Sequence, residues 1–155
     1  MRERWERDPG DPASWPRLFT VAEANALLPE IVPLLMEIRA RKVELDSAFA
    51  DLEKLTAAMR LNGHAAEARE LESRIHDLTT ELAAGVEHLN DQGIEIKSLD
   101  HGLIDFPARR DERVIYLCWR LGEGSRIRYW HEIDAGFADR RLLETGPITH
   151  HPTLP

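Results

Sequence analysis

Two runs of apolar residues at heptad spacing, one on each side of Asn62-Gly63, constrain this chain more than any other feature. In the first, Leu28, Ile31, Leu35, Ile38, Lys42, Leu45, Phe49, Leu52 and Met59 alternate steps of three and four. Thr56 fills the slot before Met59, and Lys42 is the single charged interruption. In the second, Leu71, Ile75, Leu78, Leu82, Gly85 and Leu89 repeat the pattern until Asp91-Gln92-Gly93 ends it. Alternating steps of this kind keep one stripe of a helix apolar. Two such helices joined by a few turn residues predict an antiparallel hairpin. At 1.5 Å per residue the first arm would be about 45–60 Å long and the second about 40 Å. Arms of that length often bury more surface against another copy, so a homo-oligomer through the helices is expected. A solvent-exposed two-helix arm is the alternative.

The first helix has a start signal with a mechanism. Thr20 can cap the free N–H groups of the first turn, Glu23 can reach back to complete a capping box, and Phe19 can staple against Ala24. Pro29 and Pro33 lack the N–H a helix needs and crowd the carbonyl four residues earlier. They predict a short helix over 21–28, followed by a kink or restart.

After Gly93 the period changes from helical to strand-like. Ile94-Glu95-Ile96-Lys97 alternates, and Asp100-His101-Gly102 reads as a turn. Leu103 to Phe106 reads as a short strand ended by Pro107, and Ala108 to Glu112 as a charged loop. Val114-Ile115-Tyr116-Leu117-Cys118-Trp119 is apolar on both faces, the mark of a central strand buried on both sides. Gly122-Glu123-Gly124-Ser125 reads as a hairpin turn rather than a phosphate loop, because it joins two strands and offers no helix N-terminus. Ile127 to His131 makes a further strand. Connections this short favour antiparallel pairing. The fold class is therefore α+β: a long antiparallel helical hairpin (coiled-coil-like) followed by a small antiparallel β-meander. The expected organisation is a flexible N-terminal arm at 1–18 and a single domain at 19–144, with the hairpin at 20–92 and the sheet at 93–134. A loose tail follows at 145–155. Within residues 1–17, Trp5 and Trp15 are the large apolar groups, and docking of those two rings on the domain or on a partner is the alternative fate.

The net charge of −8 is localised. Residues 20–92 carry seven basic and fourteen acidic side chains, while the flanking segments are nearly balanced. An acidic hairpin repels phosphates, so no nucleic acid is expected as a partner. No apolar run approaches a membrane span, and the charged N-terminus lacks the apolar region of a secretory signal. No membrane association is expected, and the cytoplasm is the expected compartment. Cys118 is the only cysteine, which excludes an intramolecular disulfide and a thiolate zinc cluster within one chain.

Four phrases carry a family resemblance: residues 19–29 (Phe-Thr-Val-Ala-Glu-Ala-Asn-Ala-Leu-Leu-Pro), 102–107 (Gly-Leu-Ile-Asp-Phe-Pro), 117–123 (Leu-Cys-Trp-Arg-Leu-Gly-Glu) and 129–132 (Tyr-Trp-His-Glu). In that order the chain resembles, over residues 19 to 144, a family of small bacterial proteins catalogued as domain of unknown function 2203. The resemblance implies that these phrases recur together, and it carries over no catalytic residues.

The candidate site is a set of carboxylates and imidazoles around the sheet: Asp100, His101, Asp105, His131, Glu132 and Asp134. Carboxylate plus neutral imidazole is a ligand set for zinc, iron or manganese, so a divalent metal on Asp105, His131 and Glu132 is the sharpest form of the idea. Trp119 and Trp130 would wall a ligand there. Against it, His131 and Glu132 are adjacent, so in a strand they point to opposite faces. His131 could equally be a hydrogen-bonded sheet histidine. Cys118 with His131 as base is a weaker catalytic pairing, because a thiol in the most apolar strand behaves as a small hydrophobe. The arginines near Trp119, Tyr129 and Trp130 suggest either a stacking surface or partners for the acidic helices. The preferred reading is a non-enzymatic protein that oligomerises or binds a protein partner through its hairpin. The alternative is the small metal or ligand site on the sheet.

Overall fold

The structure, a computed structural model, describes residues 8–62 and 64–143, without the side chains of 59–62. Two long helices lead into a five-stranded antiparallel sheet: α1 (Val21–Asn62), α2 (Ala65–Asp91), β1 (Glu95–Ser98), β2 (Leu103–Arg110), β3 (Arg113–Arg120), β4 (Tyr129–Glu132) and β5 (Arg141–Leu142). The strands follow one another in spatial order, as a meander does. The expected turn residue Gly63, the side chain of Met59, the ring of Trp5, Glu144 and the tail at 145–155 lie outside the described residues.

The capping box forms as the residue types dictate. The Glu23 backbone N–H donates to Thr20 Oγ1 at 3.0 Å, and the Thr20 N–H donates to Glu23 Oε1 at 3.1 Å. The predicted break at the prolines does not occur, and α1 runs through Pro29 and Pro33 without interruption. Both prolines are exposed, and they sit four apart on one face of the helix. The carbonyls they leave without partners can therefore turn to water, while Ala24, Leu28, Ile31 and Leu35 hold the opposite face in the core.

The buried seam continues through Ile38, Leu45 and Ala48, and packs on Leu78 with Ile75 and Leu82 beside it. Phe49 departs from the expected seam: it is half-exposed, and Ala48 takes the buried position. The row Ile31, Ile38 and Leu45 stays buried, whereas the row Leu28, Leu35, Lys42 and Phe49 leaves the seam after Leu35, so the buried face turns to Ala48, three residues past Leu45.

β2 does not stop at Pro107 but continues to Arg110, paired with β3 along its whole length. The Pro107 carbonyl accepts from the Phe19 N–H at 2.7 Å, so the Pro107 nitrogen shares that edge and faces away from β3. No ladder bond is lost there, which is the one setting in which a strand tolerates proline. The expected charged loop shrinks to Asp111-Glu112, with Asp111 at φ 55.

One sheet face packs on the helices through Ile104, Phe106, Ala108, Ile115, Leu117, Trp119 and Trp130. The other face has its own small cluster, Trp15 with Val114 and Tyr116, flanked by Leu18 and Ile133. Trp15 meets Tyr116 edge-on, with ring centroids 5.9 Å apart. Of the two fates considered for the arm, docking is the one seen for Trp15. Residues 135–143, for which no strand was expected, include the short β5 paired with Tyr129 and Trp130.

Candidate functional site

The two-residue turn at Asp111-Glu112 sets the register of β2 on β3 and so places Asp105 directly across from Cys118. β4 then pairs with β3 so that Tyr116 faces His131 and Cys118 faces Tyr129. Side chains alternate along strands, so Asp105, Cys118 and His131 all rise from the face turned away from the helices. Each is essentially sealed from solvent, at 1%, 0% and 3% exposure. One donor atom from each lies within 4.8 Å of the other two.

His131 uses both ring nitrogens. Nε2 lies 3.0 Å from Asp105 Oδ2, and Nδ1 lies 2.8 Å from the Glu132 carbonyl oxygen. The ring also leans on Tyr116, with centroids 5.5 Å apart. Burial by itself depresses the imidazole, but the hydrogen bonds to Asp105 and to the Glu132 carbonyl outweigh it and hold His131 above its ordinary value. Asp105 Oδ1 is buried and has no hydrogen-bond partner among the described residues. Burial, followed by the Asp105 charge, pushes the Cys118 thiol far up, and Arg140 offsets part of that. Arg140 is itself paired with Glu123 at 2.5 Å and lies over the Tyr129 ring. Lys97 lies over the Tyr116 ring and is paired with Glu95, which stands across β1–β2 from Asp105.

The expected site divides. Asp105 and His131 meet, but Glu132 points to the other side and forms a two-pronged pair with Arg113 at 2.6 and 3.0 Å. That guanidinium holds the Glu132 carboxyl below its ordinary value against the opposing effect of burial. Trp119 and Trp130 belong to the helix-facing core, so they wall nothing around His131. Asp100 and His101 sit in an exposed turn and Asp134 in another. The third member of the cluster is Cys118, which the apolar run around it disguised as a plain core residue. Its signal was the turn at 111–112, from which the cross-strand partner of Asp105 follows by counting.

This geometry does not suit nucleophilic catalysis. A triad base holds its nucleophile with one ring nitrogen and its orienting group with the other. Here both nitrogens are engaged elsewhere, and the thiol is deeply protonated. An open, largely apolar groove of about 820 Å³ lies on the other side of the sheet, lined by Leu28, Pro29, Val32, Met36, Trp119 and Leu121 among others.

A family model described as "Uncharacterized conserved protein (DUF2203)" matches residues 17–143, and the chain belongs to that family. No curated protein and no solved structure matches the chain.

Proposed function

We propose that this is a non-enzymatic, cytoplasmic protein that works through its helical hairpin, pairing the outer face of α1 with α1 of a second copy. One observation carries the proposal. Pro29, Pro33, Met36, Ala40, Val43, Ser47 and Ala50 repeat at steps of three and four on the side of α1 opposite the buried seam. All are exposed and none is charged. Met36 and Val43 keep 58% and 61% of their surface in solvent. The outer face of a solitary surface helix is ordinarily charged.

The area supports pairing only when the adjoining groove is included. From Pro29 to Ala50 the stripe is roughly 32 Å long, and at about 10 Å wide it offers about 320 Å² per copy. Two such stripes fall short of the roughly 1,000 Å² a specific interface needs. The groove shares Pro29 and Met36 with the stripe and broadens it, past Val32, toward Trp119 and Leu121. A helix is what such a groove accommodates, and the chain's own outer face is a helix.

Glu30, Glu37, Glu44 and Asp51 flank the stripe at seven-residue spacing. Glu37 is neutralised by Arg41 and Glu44 by Arg74. The remaining repulsion between copies is screened by salt, so self-association strengthens as ionic strength rises. Binding of a basic partner to the same face would weaken instead.

Light scattering on the full chain tests the proposal. The expected result is a dimer mass for the wild type and a monomer mass for Met36→Lys/Val43→Lys at unchanged helix content. A wild type that stays monomeric at every concentration and salt level overturns it.

A further inference from the structure

We infer that Asp105, Cys118 and His131 form a binding site for a zinc-class divalent cation, a clamp across β2, β3 and β4. The inference is independent of self-association.

The argument starts from proton positions. A carbonyl oxygen can only accept, so the 2.8 Å contact with Glu132 places a proton on His131 Nδ1. In a neutral ring Nε2 is then a lone pair, and it points at a carboxylate oxygen 3.0 Å away. Two lone pairs do not face each other in a dry interior unless something positive sits between or beside them. That positive centre is either a proton or a metal ion, and the surroundings favour the metal in three ways.

Asp105 Oδ1 is a second sealed carboxylate oxygen without a hydrogen-bond partner among the described residues, and a bridging proton on Oδ2 leaves only the weak Cys118 S–H donor beside that carboxylate. Cys118 adds a sulfur donor to the same spot, and the three donor atoms lie within 4.8 Å of one another. Bonds of about 2.0–2.3 Å put the ligand atoms of a tetrahedral site roughly 3.3–3.8 Å apart, so little movement is required. The Nδ1–H to carbonyl bond is also the support by which proteins aim a ligating imidazole.

Mixed nitrogen, sulfur and oxygen donors select a borderline cation such as zinc over magnesium or calcium, which take oxygen alone. Charge closes as well. A divalent ion with the Asp105 carboxylate, the Cys118 thiolate and a neutral imidazole is neutral overall, as a buried site requires. Binding releases two protons, one from the thiol and one from between His131 and Asp105. Lys97 and Arg140, the nearby cations, are each paired with a carboxylate of their own.

The test is cobalt(II) substitution of the full chain, purified without a histidine tag and stripped with chelator, alongside metal analysis of the protein as isolated. Cys118 is the only cysteine, so a sulfur-to-cobalt charge-transfer band can come from no other residue, whatever His150 and His151 bind. About one zinc per chain as isolated and a sulfur-to-cobalt band with the intense visible bands of tetrahedral cobalt are expected. Cys118→Ser should lose the charge-transfer band, and Glu132→Gln should keep it. A metal-free protein whose cobalt spectrum is that of the aqueous ion overturns the inference, as does a band that survives Cys118→Ser. Should Cys118→Ser fail to fold, the wild-type spectrum alone decides.

Discussion

Replacing Gly85 by alanine sets two effects of similar size against each other. Gly85 lies inside α2, where alanine is favoured over glycine by about 1 kcal/mol on backbone grounds alone. An added methyl, however, would lie 2.7 Å from Ile38 Cγ1 and 3.0 Å from Ile38 Cδ1. Cδ1 can swing aside, but Cγ1 sits next to the branch point of a side chain that α1 holds in one rotamer. Ile38 is buried, so it has nowhere to retreat. Overpacking of this kind costs about 1–3 kcal/mol, which exceeds the helical gain. The expected net effect of Gly85→Ala is destabilisation by about 1 kcal/mol in urea unfolding, with the m-value unchanged. In an Ile38→Ala background the new methyl enters a cavity instead, and the same substitution should stabilise by about 1 kcal/mol. A gain of that size from Gly85→Ala in the wild-type chain would refute the reasoning, because it would mean that α1 and α2 do not approach at that residue.

Three further outcomes follow from the sheet and the hairpin face. In chelator-treated protein, His131→Leu should cost about 3–5 kcal/mol by leaving the Asp105 carboxylate buried alone, while Asp105→Leu/His131→Leu should cost markedly less; chemical denaturation of both reads the difference. Glu132 is held below its ordinary value by Arg113, so its contribution is present above the unfolded carboxylate value and is lost as pH falls through the folded one. Glu132→Gln should therefore lower stability by about 0.5–1 kcal/mol near neutrality and flatten the acid limb of thermal melts recorded between about pH 3 and pH 7. If self-association is apolar with acidic flanks, sedimentation at rising salt should show a tighter dimer, and a looser one would count against the assignment of the face.

The hairpin was readable in advance because each helix must hide one stripe, and a stripe leaves a period in the sequence. Where the reading slipped, a third dimension intervened. Phe49 lost its seam position to Ala48 because only one of the two heptad rows, Ile31, Ile38 and Leu45, stays buried beyond Leu35. Pro29 and Pro33 failed to break α1 because they face water on a helix whose other side is anchored. Pro107 failed to end β2 because its nitrogen points at an edge that needs no donor from it. The candidate site was half legible. Asp105 and His131 stood out as polar residues in apolar strands, whereas Glu132 was ruled out by strand alternation alone, a rule already available at the sequence level. Cys118 was hidden because its run is apolar on both faces, so no periodicity separates the helix-facing side from the side that carries the cluster.

The claim that α1's outer face is a surface for a second copy is tested most directly by disulfide trapping. Single cysteines placed in turn at Met36, Val43 and Ala50 would be oxidised in dilute protein, with Glu87→Cys on the exposed surface of α2 as control; Cys118 stays in place, sealed within the sheet. The account predicts rapid covalent dimers from at least one stripe position and none from residue 87. Equal trapping at all four positions, or none at any of the stripe positions, would contradict it.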